Sequence, residues 1–432
     1  MTLSRADCLV IGGGPAGATA ARQLALQGLD VVVLEKDRHP RFHVGESFLP
    51  RSLAQLRELG LEDRLERLPR VQKLGAEFLE GHAGSEPSRI WFRDALGGGE
   101  PEAFNIARAP FDAMLLDAAR EAGATVREDT PVREILELAD GAVRVATADG
   151  EVAARYLLDA SGQGTILGRH LGTRRVLPAL KKVAYFGHFR GVGRAEDETG
   201  GFISLVLCRE GWFWLIPLDE ETTSIGLVLH HGDARQLPVP ASQILGWAVR
   251  RCPVMAERCA DAVFPESNGV TADFSYTCAP YAGPGYFLLG DAATFLDPIF
   301  STGVCLGMMG AVEAAEHVAA LVRGTGADAA ARQQDYSRFV ERSSRPFFRL
   351  VEGFYQQSFR ELLLSESGPL EVHRALVAVL AGHVFPRPAF ALRWRLRLFE
   401  LFVRLQKRFE LAPHREPFSL FDEAASADSA AA

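Results

Sequence analysis

Cysteine is scarce in this sequence and is never closely paired. Six of the 432 residues are cysteines, and no two of them form a Cys-x-x-Cys pair. A zinc site or a disulfide framework usually needs clustered or paired cysteines. We therefore expect no bound metal, a cytoplasmic location and reduced thiols at Cys8, Cys208, Cys252, Cys259, Cys278 and Cys305.

Long apolar runs and an excess of basic residues are also missing. The apolar run Cys8–Ile11 is too short for the core of a signal peptide, and no stretch reaches the roughly eighteen apolar residues of a membrane span. The 47 lysines and arginines are outnumbered by 55 aspartates and glutamates, so the net charge is -8. We expect no transmembrane segment and no nucleic-acid partner.

A dinucleotide-binding motif is present near the N-terminus. An apolar strand leads into Gly12-x-Gly14-x-x-Gly17, and a helix of small residues that includes Ala16 follows. Such glycines let the backbone turn tightly and approach a pyrophosphate, which the helix N-terminus then binds. A second apolar strand ends in Glu35, about twenty residues on, where a carboxylate accepts the ribose hydroxyls. A glycine turn in another α/β fold is the alternative at this point.

Three later segments occur in the order found in FAD-binding oxygenases. A strand ends in Gly290-Asp291, another ends in Asp159-Ala-Ser-Gly162, and a helix opens at Arg108. This order resembles that family, and the resemblance implies that Asp291 binds the ribityl chain. It also implies contacts with the flavin or its diphosphate at Arg41, Gly45, Glu46, Ser47 and Arg108. For Arg108 and Glu46 taken singly, plain surface charge is the alternative.

Two further motifs narrow the resemblance. The stretch Trp212-Phe-Trp-Leu-Ile-Pro217 carries two of the five tryptophans, and Phe295-Leu-Asp-Pro-Ile-Phe-Ser-Thr-Gly303 follows the Gly-Asp segment. Over residues 5–325 the chain resembles the flavin-dependent halogenases. Side chains alternate along a strand, so Trp212 and Trp214 project from one face. An ordinary aromatic core face is the alternative for tryptophans that stand alone.

The resemblance implies an α/β fold of the para-hydroxybenzoate hydroxylase type. A three-layer βαβ module binding FAD would comprise residues 1–70, 105–175 and 270–325. An inserted antiparallel substrate sheet would comprise 71–104 and 176–269. A helical C-terminal region would cover 326–422, and 423–432 would be a disordered tail.

The implied reaction uses FADH2, oxygen and chloride or bromide. A flavin C4a-hydroperoxide would oxidise the halide to hypohalous acid, while Trp212 and Trp214 keep the organic substrate away from the flavin. Pro298 and Val304 would contact the cofactor. The halide would bind at Ser301, Thr302 and Gly303, where a helix N-terminus offers free N–H groups. Ser301 is the expected capping residue, a role compatible with halide binding.

Lys73 is the catalytic candidate because Lys73-x-Gly-Ala-x-Phe78 matches the lysine segment of this family. A solvated surface lysine is the alternative. The alternation places Lys73, Gly75 and Glu77 on one face of a strand. Burial would lower the lysine pKa and favour either an amine that forms a chloramine or a donor that polarises the oxidant.

The partners follow from what the motifs contain and lack. A single dinucleotide fingerprint implies that a separate flavin reductase supplies FADH2. Phe300 stands where tryptophan halogenases carry a glutamate. In this respect the chain resembles the branch of the family that acts on phenols and pyrroles in natural-product biosynthesis. The substrate would be an electron-rich aromatic, free or bound to an acyl or peptidyl carrier protein. An aromatic hydroxylase of the same fold and a non-catalytic flavoprotein are the alternatives.

The spacing of apolar residues in the C-terminal region predicts helices, the last of them over residues 389–410. Five basic residues flank its apolar stripe. Such a helix lies on a membrane, meets an acidic carrier protein or packs on its own protein. The basic residues are Arg393, Arg397, Arg404, Lys407 and Arg408.

Overall fold

The structure, a computed structural model, describes residues 4–266, 268–272, 275–324, 328–365, 369–384 and 388–421. The predicted tail, 423–432, lies outside the described residues.

The strands, in chain order, are β1 (Ser4–Arg5), β2 (Cys8–Ile11), β3 (Val31–Leu34), β4 (Val71–Lys73), β5 (Gly75–Glu80), β6 (Ser88–Trp91), β7 (Ala103–Asn105), β8 (Thr125–Arg127), β9 (Glu134–Ala139), β10 (Ala142–Thr147), β11 (Gly150–Ala154), β12 (Tyr156–Asp159), β13 (Arg175–Val176), β14 (Lys182–Arg190), β15 (Ile203–Leu207), β16 (Gly211–Pro217), β17 (Thr222–His230), β18 (Gly269–Ala272), β19 (Tyr276–Thr277), β20 (Ala282–Gly283), β21 (Tyr286–Leu288) and β22 (Thr294–Phe295).

The α-helices are α1 (Pro15–Leu26), α2 (Pro50–Glu58), α3 (Glu62–Glu66), α4 (Arg108–Glu121), α5 (Ile166–His170), α6 (His231–Ala234), α7 (Ile244–Arg251), α8 (Pro253–Arg258), α9 (Gly303–Arg323), α10 (Ala329–Phe354), α11 (Gln357–Leu363), α12 (Val372–Leu380) and α13 (Phe390–Phe409).

A six-stranded sheet in the order β20-β21-β12-β2-β3-β8 forms the centre of the first unit. All its pairs are parallel except β20–β21. Its strands β2, β3 and β12 are apolar runs buried at every position, as expected for parallel strands covered on both faces. Helix α1 packs against α4 and α9, and the smaller sheet β1-β11-β10-β9 contacts β2 and β12. The predicted layered α/β fold is confirmed.

A seven-stranded sheet in the order β18-β14-β17-β16-β15-β5-β6 forms the second unit. It is antiparallel, as predicted, except that β5 and β15 are parallel. No hairpin joins these two strands, because the chain leaves β6 and crosses the first unit before it returns. The predicted domain bounds stay a prediction, and β18 continues this sheet to Ala272, beyond residue 269.

The two faces of the seven-stranded sheet belong to different apolar cores. Trp212, Trp214 and Ile216 pack in a core shared with α10 to α13, whereas Phe213 and Leu215 pack in a core shared with α7 and α8. The alternation of β16 therefore confirms that both indoles project from one face. The C-terminal helices cover that face.

Helix α9 is the one described helix with the length and apolarity to cross a membrane, with a hydropathy of 1.4 and half of its apolar window buried. This helix does not contradict the expectation that no run of about eighteen apolar residues occurs, because Glu313 and Glu316 interrupt it. Inside the protein α9 packs against α1 and α10. Ala311, Ala314 and Ala315 of this helix are fully buried.

Helix α13 packs on its own protein. Leu392, Phe399 and Val403 are buried against α11 and α12. This arrangement agrees with the third interpretation of the C-terminal helix. The predicted basic flank is solvent-exposed at Arg393, Arg397, Arg404, Lys407 and Arg408.

Candidate active site

A cavity of about 770 Å³ lies between the six-stranded and seven-stranded sheets. Most residues predicted to form the site line it, although they come from distant parts of the chain. Gly17 and Lys73 do not line it. Those that do are Gly12, Gly14, Ala16, Glu35, Arg41, Gly45, Glu46, Ser47, Arg108, Trp212, Trp214, Asp291, Pro298, Ser301, Thr302, Gly303 and Val304.

The glycine motif brings the backbone of β2 and α1 close together. Gly12 has φ +98°, and a Cβ there would lie 2.3 Å from the carbonyl oxygen of Ala160. A Cβ at Gly17 would lie 1.9 Å from the carbonyl oxygen of Gly12. Gly17 therefore acts in helix packing rather than in the cavity wall. Helix α1 begins at Pro15 with no side-chain cap, which leaves its first N–H groups available to an anion.

Arg41 and Glu35 stand on either side of this helix start. Arg41 Nη1 is buried without a hydrogen bond, 3.4 Å from Asp112 Oδ2. A Cβ at Gly14 would lie 3.5 Å from Arg41 Nη2. Glu35, at the end of β3, accepts hydrogen bonds from the backbone N–H groups of Gly13 and Asp37. Free donors for a diphosphate beside an acceptor for ribose hydroxyls fit the two halves of FAD.

Arg108 organises the loop that precedes Ser47. Its guanidinium makes two hydrogen bonds to Asp112, of 2.8 and 2.9 Å, and Nη1 donates to the Val44 carbonyl oxygen at 3.0 Å. Arg108 is 6% exposed and Glu46 is 0% exposed. The alternative of surface charge was therefore wrong for both. Glu46 Oε1 lies 2.7 Å from His188 Nε2.

Asp291 follows β21 and reaches towards the start of α9. Its Oδ1 lies 3.8 Å from the position that a Cβ of Gly303 would take. Burial raises the pKa of this carboxyl to about 6, although the nearby Arg108 lowers it. The Asp291 carboxyl thus lies within the cavity, where it can accept a hydrogen bond from a hydroxyl group.

The two indoles form part of the cavity wall. Their ring centroids are 5.9 Å apart, with an interplanar angle of 50°. Trp212 Nε1 donates to Tyr355 Oη at 3.1 Å, and Trp214 Nε1 donates to Ser224 Oγ at 3.3 Å. Ser224 Oγ donates in turn to Glu46 Oε2 at 3.2 Å. Each indole is therefore held by its own hydrogen bond as well as by packing.

The turn before α9 differs from the expected cap. Ser301 adopts the left-handed conformation with φ +55°, and its N–H donates to the Pro298 carbonyl oxygen. The residue that caps α9 is Thr302, and its side chain makes no capping bond. The expectation of a Ser301 cap was wrong because the left-handed residue ends the preceding 3-10 turn. The first N–H groups of α9 lack partners within the helix, and Thr302, Gly303 and Val304 line the cavity.

Lys73 is buried behind the cavity rather than within its wall. It is 2% exposed, so the alternative of a surface lysine was wrong. Its Nζ donates to Ser47 Oγ at 2.9 Å and to the Phe48 carbonyl oxygen at 3.1 Å, and it lies 5.3 Å from the Phe92 ring centroid. Burial lowers the pKa of Lys73 to about 7. Ser47 lines the cavity and accepts a hydrogen bond from Lys73, so it connects the buried amine to the cavity.

The single strand predicted around Lys73 was wrong. The strand is interrupted at Leu74, whose carbonyl oxygen accepts a hydrogen bond from the Phe92 N–H. Strand β4 pairs with β7, whereas β5 joins the seven-stranded sheet. Glu77 instead contacts Ser204 and Arg258. Lys73 and Glu77 therefore do not share a face.

Comparison with known proteins matches this arrangement to one family. A family model described as an FAD binding domain matches residues 5–338. The flavin-dependent halogenase armH3 of Armillaria mellea is 32% identical over 81% of this chain and 74% of its own length. The chain belongs to the flavin-dependent halogenases.

Solved structures of halogenases have the same fold. The flavin-dependent brominase Bmp2 superposes with a TM-score of 0.81 at 25% identity, covering 93% of this chain and all of Bmp2. The myxobacterial chondrochloren halogenase CndH gives a TM-score of 0.76 at 28% identity, covering 93% of this chain and 97% of CndH. This halogenase uses FAD as its cofactor and a halide as co-substrate.

Sequence patterns did not predict two buried polar residues of the halogenase, Lys182 and Asp297, or the half-buried Tyr355 that contacts both. Lys182 is fully buried, and its Nζ lies 3.7 Å from the ring centroid of Tyr355. Tyr355 Oη donates to Asp297 Oδ2 at 2.5 Å. Asp297 had a signal, because Asp before Pro favours the start of a turn. Lys182 and Tyr355 had none, since their contacts join segments far apart in the chain.

Proposed function

We propose that this halogenase chlorinates or brominates an electron-rich aromatic ring, a phenol or a pyrrole. The observation that carries the proposal is the placement of Trp212 and Trp214 in the wall of a cavity that also contains the N-terminus of α9, with Lys73 buried behind Ser47. Reduced FAD, when bound, supplies the activation of oxygen that oxidises the halide.

The cofactor is held, in this proposal, by the residues that surround the start of α1 and the loop before Ser47. Arg41 and the free N–H groups of α1 bind the diphosphate. Glu35 accepts hydrogen bonds from ribose hydroxyls and Asp291 from ribityl hydroxyls. Arg108 keeps the 44–45 backbone in place through its bond to Val44. Further cofactor contacts come from Gly45, Glu46, Ser47, Pro298 and Val304.

The tryptophans and the turn before α9 divide the cavity between two tasks. The halide binds to the N–H groups at Ser301, Thr302 and Gly303, where the helix dipole favours an anion. The indoles exclude the organic substrate from the flavin side, so that the halide is oxidised and the ring is not hydroxylated there. The small hypohalous acid then leaves this compartment past Ser47.

Lys73 presents the oxidised halogen to the ring. With a pKa of about 7 both its amine and its ammonium forms are available at neutral pH. The amine displaces water from hypochlorous acid to give a chloramine, and the ring then takes the chlorine and returns its proton to the amine. The ammonium form instead hydrogen-bonds hypochlorous acid and polarises it. Both routes need Lys73 at the same place.

The surroundings of the turn support a substrate that needs little activation. Phe300 is 5% exposed and packs edge-to-face on Phe354, where tryptophan halogenases carry a carboxylate. An electron-rich phenol or pyrrole tolerates the loss of that acid. We propose that the substrate arrives free or bound to a carrier protein, and that a separate reductase supplies FADH2. A cytoplasmic location, which six unpaired buried cysteines support, is part of the proposal.

A product assay tests the proposed function. The protein is incubated with a flavin reductase, NADH, FAD, chloride or bromide, and a panel of phenols and pyrroles, free and carrier-bound. Halogenated product is recognised in mass spectra by its isotope pattern. A product that gains only oxygen would contradict the proposal and indicate an aromatic hydroxylase.

Lys73→Ala tests the role of the lysine. We expect FAD binding and FADH2 oxidation to stay as in the wild type and halogenated product to disappear. Lys181→Ala, at an exposed lysine elsewhere in the chain, is the control and keeps the product. A Lys73→Ala enzyme that still halogenates its substrate would show that another group presents the halogen.

A further inference from the structure

A hydrogen-bonded chain connects the tryptophan wall to the turn before α9. It starts at Trp212 Nε1, which donates to Tyr355 Oη. Tyr355 Oη donates to Asp297 Oδ2, and Asp297 Oδ1 accepts from the Ile299 N–H at 3.1 Å. Trp212 and Asp297 are buried, at 2% and 1% exposure. The chain therefore passes from β16 through the end of α10 to the segment that precedes Ser301.

Asp297 controls the geometry of that segment. Its side chain caps the 3-10 turn of residues 298–300, which ends at the left-handed Ser301. Thr302 and the start of α9 follow directly. Because Asp297 shares one carboxylate between the turn and Tyr355, any movement of the tyrosine hydroxyl changes how this turn is held.

Lys182 is buried beside this hydrogen-bonded chain, and burial lowers its pKa to about 8. Its Nζ lies over the Tyr355 ring and 2.5 Å from His230 Nδ1. Burial, with the Lys182 charge, lowers the pKa of His230 to about 4, so the imidazole is neutral and accepts from the ammonium. Burial and the Asp297 carboxylate raise the pKa of Tyr355 far above its usual value. Tyr355 thus remains a hydrogen-bond donor to Asp297 between a buried cation and a buried anion.

Trp214 is attached in a different direction. Its N–H reaches Glu46 through Ser224, a residue of the neighbouring strand β17. The Trp214 indole is thus tied to the loop that holds the cofactor. Tyr355 is the hydrogen-bond acceptor of the Trp212 N–H, and it comes from the C-terminal helices rather than from either sheet.

We propose that Tyr355 is a positioning residue that couples the orientation of Trp212 to the turn of Ser301, Thr302 and Gly303. The proposal rests on the function proposed above. In this proposal the C-terminal helices contribute to halide oxidation itself, because they hold the Trp212 indole and the halide-binding turn in a fixed relative position. Loss of the Tyr355 hydroxyl frees the indole N–H and one oxygen of Asp297 together.

Tyr355→Phe tests this coupling, because it removes only the hydroxyl. We expect KM for the halide to rise about tenfold and halogenated product per FADH2 oxidised to fall by a similar factor, the usual scale for one lost buried hydrogen bond. The missing product appears as hydrogen peroxide, and the Kd for FAD stays within twofold. Tyr286→Phe, at a buried tyrosine of β21 whose hydroxyl lies 3.5 Å from the Pro280 carbonyl oxygen, is the matched control and changes none of these values.

A double-mutant cycle separates positioning from general damage. In a Trp212→Phe background no indole N–H remains, so Tyr355→Phe should lower the product-to-FADH2 ratio no further, whereas it should still raise KM for the halide through Asp297. Asp297→Asn, which weakens the charge-assisted bond, should raise the halide KM in the same direction and serves if the tyrosine variant does not fold. Additive losses of the product-to-FADH2 ratio in the cycle would overturn the coupling.

The outcomes distinguish this proposal from the proposed function. Wild-type protein that yields no halogenated product from any substrate and halide contradicts the function. Wild-type protein that halogenates, together with a folded Tyr355→Phe enzyme whose halide KM and product ratio are unchanged, contradicts only the positioning role of Tyr355.

Discussion

Gly226 determines where the Trp214 indole lies. It stands opposite Trp214 on the neighbouring strand β17, and a Cβ there would lie 2.1 Å from Trp214 Cζ2. A side chain at this position and the observed indole cannot both be accommodated. The strand therefore needs glycine for a steric reason, although glycine is unfavourable within strands.

Gly226→Ala should displace Trp214. We expect the free energy of unfolding to fall by about 1–3 kcal/mol, the usual result of overpacking a core, and product per FADH2 oxidised to fall as well. Urea unfolding followed by tryptophan fluorescence and the product assay measure the two effects. Gly232→Ala is the control, because a Cβ there meets nothing within 4 Å. Equal behaviour of the two variants would show that the indole adapts without cost.

Lys73 makes stability depend on pH in a defined direction. Its folded-state pKa of about 7 lies below the unfolded value of 10.5. Between these values the unfolded lysine binds a proton that the folded one releases, so stability rises with pH across this window. Between pH 7 and pH 9 the gain is about 2 kcal/mol.

Lys73→Met should remove this pH dependence. We expect wild-type protein to gain about 2 kcal/mol more stability than the variant from pH 7 to pH 9, as measured by urea denaturation at each pH. Lys181→Met, at an exposed lysine, should behave as wild type. Identical slopes for wild type and Lys73→Met would mean that Lys73 is solvated.

Motif residues were predictable one by one, and the buried network was not. Gly12, Glu35 and Asp291 follow from local strand-turn patterns, because each lies at the end of a buried strand. Lys182 and Tyr355 are separated in sequence by most of the seven-stranded sheet and by strands β19 to β22 with helix α9. Their burial depends on tertiary packing, which no local pattern encodes.

At the level of elements, β12 ends in a carboxylate that holds the next turn. Asp159 is fully buried, and its two oxygens accept from the Ser161 N–H at 2.9 Å and the Leu167 N–H at 2.7 Å. Residues 160–164 between them line the cavity. The Asp159 side chain therefore joins the six-stranded sheet to α5 and holds the turn of residues 160–164, which lines the cavity.

Asp159→Ala should loosen this turn. Leaving two buried N–H groups without acceptors costs about 1–3 kcal/mol each, so we expect lower stability in urea and an increase in the Kd for FAD measured by flavin fluorescence. Asp149→Ala, in an exposed hairpin turn, should change neither. Unaltered FAD affinity in a folded Asp159→Ala protein would separate the turn from cofactor binding.

Elements differed in how well the sequence predicted them. The buried strands β2, β3 and β12 are continuous apolar runs, and their order with the glycine motif predicts the parallel sheet. The segment of Lys73 looks like one alternating strand, yet it divides at Leu74 between two sheets. Alternation describes side-chain direction along a strand, but it does not encode which neighbour each half pairs with.

For the whole molecule, the last described residues close the core between the seven-stranded sheet and helices α7 and α8. Leu420 is fully buried there. Glu210 accepts from Ser419 Oγ at 2.6 Å and from the Leu420 N–H at 3.0 Å, and Arg251 Nε donates to the Leu420 carbonyl oxygen at 2.7 Å. These bonds join the chain end to the β15–β16 turn and to α7.

Removal of residues 417–432 should destabilise the protein, because it exposes this core and leaves the buried Glu210 carboxylate without donors. We expect a loss of about 2–5 kcal/mol from the Leu420 side chain and the broken bonds, measured by urea unfolding. Removal of 422–432 keeps every contact named above and is the control. Equal stability of the two truncated proteins would contradict this role of the chain end.

The neighbouring residues Glu46 and Ser47 point to two different groups. Glu46 accepts a hydrogen bond from Ser224, which in turn accepts one from the Trp214 indole. Ser47 accepts a hydrogen bond from Lys73. A shift of this dipeptide as the flavin enters would alter the barrier and the amine at the same moment. If flavin entry moves this dipeptide, the rate at which an amine-specific reagent labels Lys73 should change with flavin loading, and an unchanged rate would show that the two are independent.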